Sequence, residues 1–149
     1  MDPNFLEKTY VKKGWGYEYI LVNNDLYCGK ILHFDSACKF SMHFHVDKDE
    51  TWYVNYGTFT FRWIDCKNAD INERILTKGD VVNIPRTMPH QLQTVDGGEI
   101  FEVSTHHEDS DSYRVMKGDS QTKKATVADS CTNNYCKCTD CTCNGCDCK

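Results

Sequence analysis

Two stretches of this chain carry metal-ligating side chains at regular spacing. In SMHFHVDKDETWYVNYG, His43 and His45 stand two residues apart, and a strand projects such a pair to one face. Glu50 follows the turn residues DKD at 47–49, and Gly57 closes the spacing H-x-H-x4-E-x6-G. In GDVVNIPRTMPHQLQT, Gly79, Pro85 and His90 give G-x5-P-x-T-x2-H-x3-T. Three imidazoles and one carboxylate suit a divalent transition metal (Zn, Mn, Fe or Ni) and leave coordination positions for water or a substrate.

A chemically different set closes the chain. Cys131, Cys136, Cys138, Cys141, Cys143, Cys146 and Cys148 fall in the last 19 residues, and CKCTDCTCNGCDCK repeats C-x-C every five residues. Seven is an odd number, and a disulfide across one residue is strained, so a full disulfide set is excluded. Thiolates at this spacing bind soft ions, Zn or Cu(I), and with one bridging sulfur seven of them complete two four-coordinate sites. The Thr, Asn, Gly and Asp between them bring no apolar surface, so bound metal would have to supply the folding free energy. Over about 19 residues the tail resembles a metallothionein.

The rest of the sequence must position the first set. Between about residues 17 and 115, YEYILV, LYCGKILHF, FSMHFHV, TWYVNY, TFTFRWI, RILT, DVVNIP, HQLQTV and EIFEVST alternate apolar and polar residues. Turn signals separate them: NND at 23–25, DKD at 47–49, Gly57, KGD at 78–80 and DGG at 96–98. This predicts an all-β sandwich or barrel. Residues 1–13 read as an N-terminal arm, 14–116 as the barrel, 117–130 as a polar linker without fixed fold, and 131–149 as the Cys-rich tail.

The formal net charge of −5, with no basic run beyond Lys12-Lys13 and Lys123-Lys124, argues against nucleic-acid and anionic-membrane partners. No apolar run approaches the ~20 residues of a membrane span. The first residues show no apolar signal region, so a cytoplasmic location is expected. Sheet edges stay exposed unless paired, which makes a homodimer through a barrel edge the expected assembly.

Both ligand stretches resemble the two signature motifs of the cupin family, small jelly-roll barrels. Carried over position by position, the resemblance implies metal ligands His43, His45, Glu50 and His90. Ala37 and Thr87 stand where the motifs usually have Gly, and Thr94 where they usually have Asn. A narrower resemblance runs through GWGYE (14–18), YCGKI (27–31), SMHFH, GDVVNIP and EVSTHHEDSDSYRV (102–115). It is to the type II mannose-6-phosphate isomerase group and related sugar-isomerase-like cupins. His43 in the first motif position looks more like the lyxose-isomerase type. After Arg114 the chain continues VMKGDSQ, where that group carries an acidic residue and Y-G-R.

What this resemblance implies is aldose–ketose isomerisation of a sugar or sugar phosphate. Glu102 would be the acid/base, sharing a strand face with Ser104, and Arg114 and Lys30 would bind hydroxyls or phosphate. His106 and His107 follow the last long strand and read as solvated. Trp52, Tyr53, Phe59, Phe61 and Trp63 read as core or sugar-stacking rim. Two other functions share the same ligands: a non-catalytic carbohydrate- or metal-binding protein, and an O₂-dependent oxidoreductase.

Overall fold

A computed structural model describes residues 3–122 of the chain. The cysteine tail, with Cys131 through Cys148, and most of the expected linker lie outside the described residues. Ten strands form one curled antiparallel sheet: β1 (Thr9–Lys13), β2 (Gly16–Asn23), β3 (Cys28–Phe34), β4 (Cys38–Lys39), β5 (Met42–Phe44), β6 (Glu50–Asp65), β7 (Asp70–Leu76), β8 (Val81–Ile84), β9 (His90–Ser104) and β10 (Tyr113–Met116). A 3-10 turn, Asp109–Asp111, precedes β10, and one helical turn, α1 (Asp119–Thr122), follows it. The all-β expectation holds among these residues. No helix here is long and apolar enough to cross a membrane.

The two long strands make the curl. β9 pairs with β3 through Gly98–Ser104, and with β4 and β5 through residues 90–94. β6 pairs with β9 along both halves, with β8 through Glu50–Tyr53 and with β7 through Phe59–Asp65. Gly57 and DGG at 96–98 had read as turns between separate strands; they are irregularities inside continuous ones. Gly57 lies opposite Gly98, and the register shifts beside them. At Gly57, φ is +92° and a Cβ would come within 2.7 Å of Gly98 Cα, so only glycine fits this close approach.

Two boundaries also differ from the sequence reading. Residues 9–13, expected in the arm, pair with β2, Tyr10 meeting Tyr19 across the ladder. Residues 117–122, expected in the linker, pack on the barrel: buried Asp119 accepts the Lys39 N–H at 2.8 Å, and Ser120 Oγ accepts the Gly14 N–H at 3.0 Å. Polar composition there reflects contacts to backbone N–H groups rather than lack of structure.

Inward residues change character along each strand. β3 turns in Cys28 and Lys30, then Leu32 and Phe34; β9 turns in Ser104 and Glu102, then Ile100; β6 turns in Glu50, then Trp52 and Val54. The apolar half is close-packed. Trp15 stacks on Phe34 with centroids 4.6 Å apart, and Phe34 meets Phe59 edge-on at 5.2 Å. Each such side chain contributes about 1.5–3 kcal/mol on burial. The polar half is equally buried, so its groups must be satisfied by one another or by a ligand.

Candidate metal centre and its cavity

β5 and β9 meet at one cross-strand pair, His43 with His90, and His45 follows two residues after His43. Ligand nitrogens of His43, His45 and His90 all lie within 4.8 Å of one another. This cluster can hold a divalent transition metal. Glu50, the first residue of β6, sits beside them: Oε1 is 3.1 Å from His45 Nε2 and Oε2 is 3.5 Å from His90 Nε2.

Backbone carbonyls fix the tautomers. His43 Nδ1 lies 2.8 Å from Ser41 O, His90 Nδ1 2.8 Å from Met88 O, and His45 Nδ1 2.6 Å from Asp111 O. A carbonyl only accepts, so each Nδ1 carries the hydrogen and each Nε2 presents a lone pair. Burial, then the neighbouring His90, pulls His43 down to about 3, and burial also lowers His90. His43 and His90 are therefore neutral at ordinary pH, as metal ligands must be.

The arrangement fits a cation. His90 Nε2 and Glu50 Oε2 are buried without a hydrogen-bond partner. His45 Nε2 and Glu50 Oε1 face each other as two acceptors. A positive ion among them satisfies both oddities at once, where unpaired buried polar groups are otherwise costly.

One cation is already present nearby. Lys48, 3% exposed as a side chain, contacts Glu50 Oε1 and lies 2.6 Å from Glu102 Oε1. Burial opposes its charge, but Glu102 and Glu50 outweigh that and hold the ammonium above its ordinary range. The same pairing keeps Glu50 well below the usual carboxylate range against its own desolvation. Asp111 positions the turn that carries Lys48. Its carboxylate accepts the N–H groups of Val46 (2.8 Å), Asp47 (3.1 Å) and Lys48 (3.1 Å), while its carbonyl takes the His45 hydrogen.

His43, His45, Lys48 and Glu50 line a cavity of about 350 Å³, near the lower end of the roughly 300–1,000 Å³ of small-molecule sites. Glu102 is buried in its wall and accepts from Ser104 Oγ at 3.2 Å, as their shared strand face predicts. Lys30 is buried in the same wall, 3.7 Å from Glu18 Oε2; Lys13 holds the other oxygen of Glu18 at 3.0 Å. Arg114 is exposed and borders the cavity, cross-strand from His43. His43, His45, Glu50, Glu102, Lys30 and Arg114 thus face one space, with His90 clustered against the other two rings; the tail cysteines lie outside the described residues.

Sequence reasoning missed Lys48, Glu18, Asp111 and His107. DKD had marked only a turn, and a turn signal says nothing about where its middle side chain goes. Asp111 stood unremarked inside the EVSTHHEDSDSYRV stretch of the narrower resemblance. His107, read as solvated, is half-buried and lines the cavity; His106 is exposed as read. Trp52, Phe59 and Phe61 are core, whereas Tyr53 is 40% exposed on the outside.

Residues 32–123 match the family described as Cupin. No curated protein matches the chain. Among solved structures, oxalate decarboxylase from Bacillus subtilis at pH 4.6 superposes with a TM-score of 0.66 at 17% identity, over 73% of this chain and 30% of that one. Another structure of that enzyme, studied for its Mn(II) centres, gives 0.65 at 17% over the same shares. Lactobacillus farciminis oxalate decarboxylase in a formate complex gives 0.64 at 15%, over 73% of this chain and 34% of that one. The chain spans about a third of the length of these proteins, and at such identities the likeness is one of fold.

Proposed function

The chain belongs to the cupin family, and from that premise we propose a metal-dependent aldose–ketose isomerase acting on a small sugar or sugar phosphate. The observation that carries this reading is the buried Glu102 carboxylate, set in the same cavity wall as the histidine cluster and held by Lys48 and Ser104. His43, His45, His90 and Glu50 would hold the metal. When bound, it supplies Lewis acidity toward a carbonyl and its neighbouring hydroxyl.

The chain's own residues do the proton work. Glu102, its Oε1 2.6 Å from Lys48 Nζ, takes the proton from C2. The C–H electron pair becomes the C1–C2 double bond as the carbonyl pair moves onto O1. Protonation of O1, loss of the O2 proton and return of the proton to C1 complete the ketose. Lys30 and Arg114 hold hydroxyls or phosphate. The narrower resemblance at GWGYE, YCGKI and EVST supports the same substrate class.

The test is incubation with mannose 6-phosphate, fructose 6-phosphate or lyxose in D₂O, with Mn, Zn, Fe or Ni added. Interconversion with deuterium appearing at C1 or C2 is expected. Absence of turnover for every sugar with every metal overturns the reading. Metal analysis of the full chain and of a chain ending at Thr122 separates barrel metal from tail metal; a barrel that retains none would remove the metal site itself.

A further inference from the structure

Two buried polar groups in the cavity wall are left over by the metal site. The Lys30 side chain is 3% exposed; cross-strand from Glu102, it has one carboxylate oxygen within 4 Å, Glu18 Oε2, which stands at 3.7 Å, beyond hydrogen-bond reach. Glu18 is itself engaged by Lys13. Among the described residues, the Lys30 ammonium therefore has donors without an acceptor. Lys30 is also the charge that acts most strongly on the His107 ring, ahead of Lys48, Glu102 and Glu18.

His107 supplies the complementary vacancy. Its Nδ1 is buried with no hydrogen-bond partner. Its Nε2 faces Asp109 Oδ1 at 3.3 Å, so in the neutral ring Nε2 carries the hydrogen and Nδ1 presents a lone pair. Burial, then Lys30 and Lys48, lowers the ring's pKa and keeps it neutral. The backbone beneath it is clamped: Asn23 Nδ2 donates to His107 O at 2.9 Å, and Asn23 Oδ1 accepts the His107 N–H at 3.0 Å. His106 Nδ1 adds a third tie, to Asn24 O at 2.9 Å. A fixed, neutral, unpaired ring nitrogen in a cavity wall is a ligand contact waiting for its donor.

We propose that Lys30 and His107 form a hydroxyl-binding subsite, in which the ammonium donates to a substrate hydroxyl and His107 Nδ1 accepts a hydroxyl hydrogen. A hydroxyl both accepts and donates, so polyhydroxy ligands satisfy the two groups together. An ionised carboxylate or phosphate only accepts; it fills Lys30 and leaves His107 unpaired. The subsite selects sugars over simple carboxylates of similar size. This rests on the proposed sugar-type substrate, and it adds a residue that neither the sequence motifs nor the metal cluster requires.

The experiment is calorimetric titration of the full-length, metal-loaded protein with lyxose, mannose and oxalate, for the parent chain and for His107→Phe and His107→Asn. Asparagine places an amide oxygen near the Nδ1 position and serves as the conservative variant. Expected is sugar binding by the parent, weakened about tenfold or more in His107→Phe through the lost hydrogen bond and largely restored in His107→Asn, with metal content unchanged. Should His107→Phe not fold, His107→Ala takes its place: weakened sugar affinity beside a near-parental His107→Asn supports the subsite, and parental affinity in His107→Ala overturns it. Equal sugar affinity in parent and His107→Phe overturns the subsite but leaves the isomerase reading standing. A parent chain that binds oxalate and no sugar overturns the subsite; the isomerase reading, which also covers sugar phosphates, falls with the turnover test above.

Discussion

Lys48 Nζ lies 2.6 Å from Glu102 Oε1, joining the turn after the second histidine to the strand that ends at Ser104. The same ammonium touches Glu50. One side chain therefore links the carboxylate proposed as a metal ligand to the carboxylate proposed as the acid/base.

Replacing Lys48 by Met strands two buried carboxylates. Breaking a buried pair by removing one partner costs about 3–5 kcal/mol. The metal-free Lys48→Met protein should melt well below the parent, and added metal should raise its melting temperature more than it raises the parent's. Differential scanning calorimetry with and without Mn or Zn reads both. Equal metal-induced shifts in the two proteins would show that Lys48 and the metal do not share Glu50.

Asp111→Ala should loosen the metal site from a distance of more than sixty residues in sequence. It removes the acceptor for three backbone N–H groups at 46–48 and frees the turn that precedes Glu50. Outer partners of metal ligands are worth about 10–100-fold in metal affinity. Competition against a chelator with a metal indicator should show a loss of that order. An unchanged affinity would mean that His45 and Glu50 hold their places without the turn.

Acid should destabilise the metal-free protein in a defined window. His43 has a folded pKa of about 3 against an ordinary value of 6.5, and His90 is also lowered. Between those values the unfolded chain binds protons that the folded chain refuses, so stability is complete above about pH 6.5 and falls as pH drops toward 3. Glu50, held low, adds a further loss below its ordinary 4.5. The histidine part is on the order of a few kcal/mol. Melting curves of chelator-treated protein at pH 7.5, 6, 5 and 4 should step downward; a flat series from 7.5 to 5 would contradict buried neutral imidazoles.

Ala37 and Thr87, at positions where the cupin motifs usually have Gly, adopt φ of 55° and 66°. The left-handed region is unfavourable for side chains and most so for a β-branched one. Both residues are exposed, so little packing is lost on removal of their side chains. Thr87→Gly should raise stability by about 1 kcal/mol, and Ala37→Gly by somewhat less, set against the added freedom of the unfolded chain. Chemical denaturation measures it. A lower midpoint for Thr87→Gly would mean that the Thr87 N–H to His45 carbonyl bond, 2.7 Å long, depends on the threonine.

What the sequence made legible followed from alternation. Strand period put His43 with His45 and Glu102 with Ser104, and nothing beyond local geometry was needed for that. It could not show that Lys48 folds inward, because the cause is Asp111, which shapes the turn from far along the chain. Glycines misled in the opposite direction. Gly57 and Gly98 have the composition of turns, yet their lack of a Cβ serves two backbones crossing closely inside long strands. The loop at His107 was opaque for a similar reason: Asn23, on another hairpin, turns a polar surface segment into cavity wall.

The change from polar to apolar along β3, β6 and β9 has an engineering consequence. Residues proposed to do chemistry and residues that supply cohesion occupy opposite ends of the strands, Glu50 and Glu102 at one end, Phe34 and Phe59 at the other. Sites that share no partner combine additively, to within about 0.3–0.5 kcal/mol. The two ends do share partners: Phe40 lies 5.8 Å from the Phe34 ring and 5.1 Å from the His43 ring, and Trp15, stacked on Phe34, also lines the cavity. A library that repacks the Phe34–Phe59 end can therefore be merged with one that re-specifies the cavity only while Trp15 and Phe40 are held fixed as the joint between them.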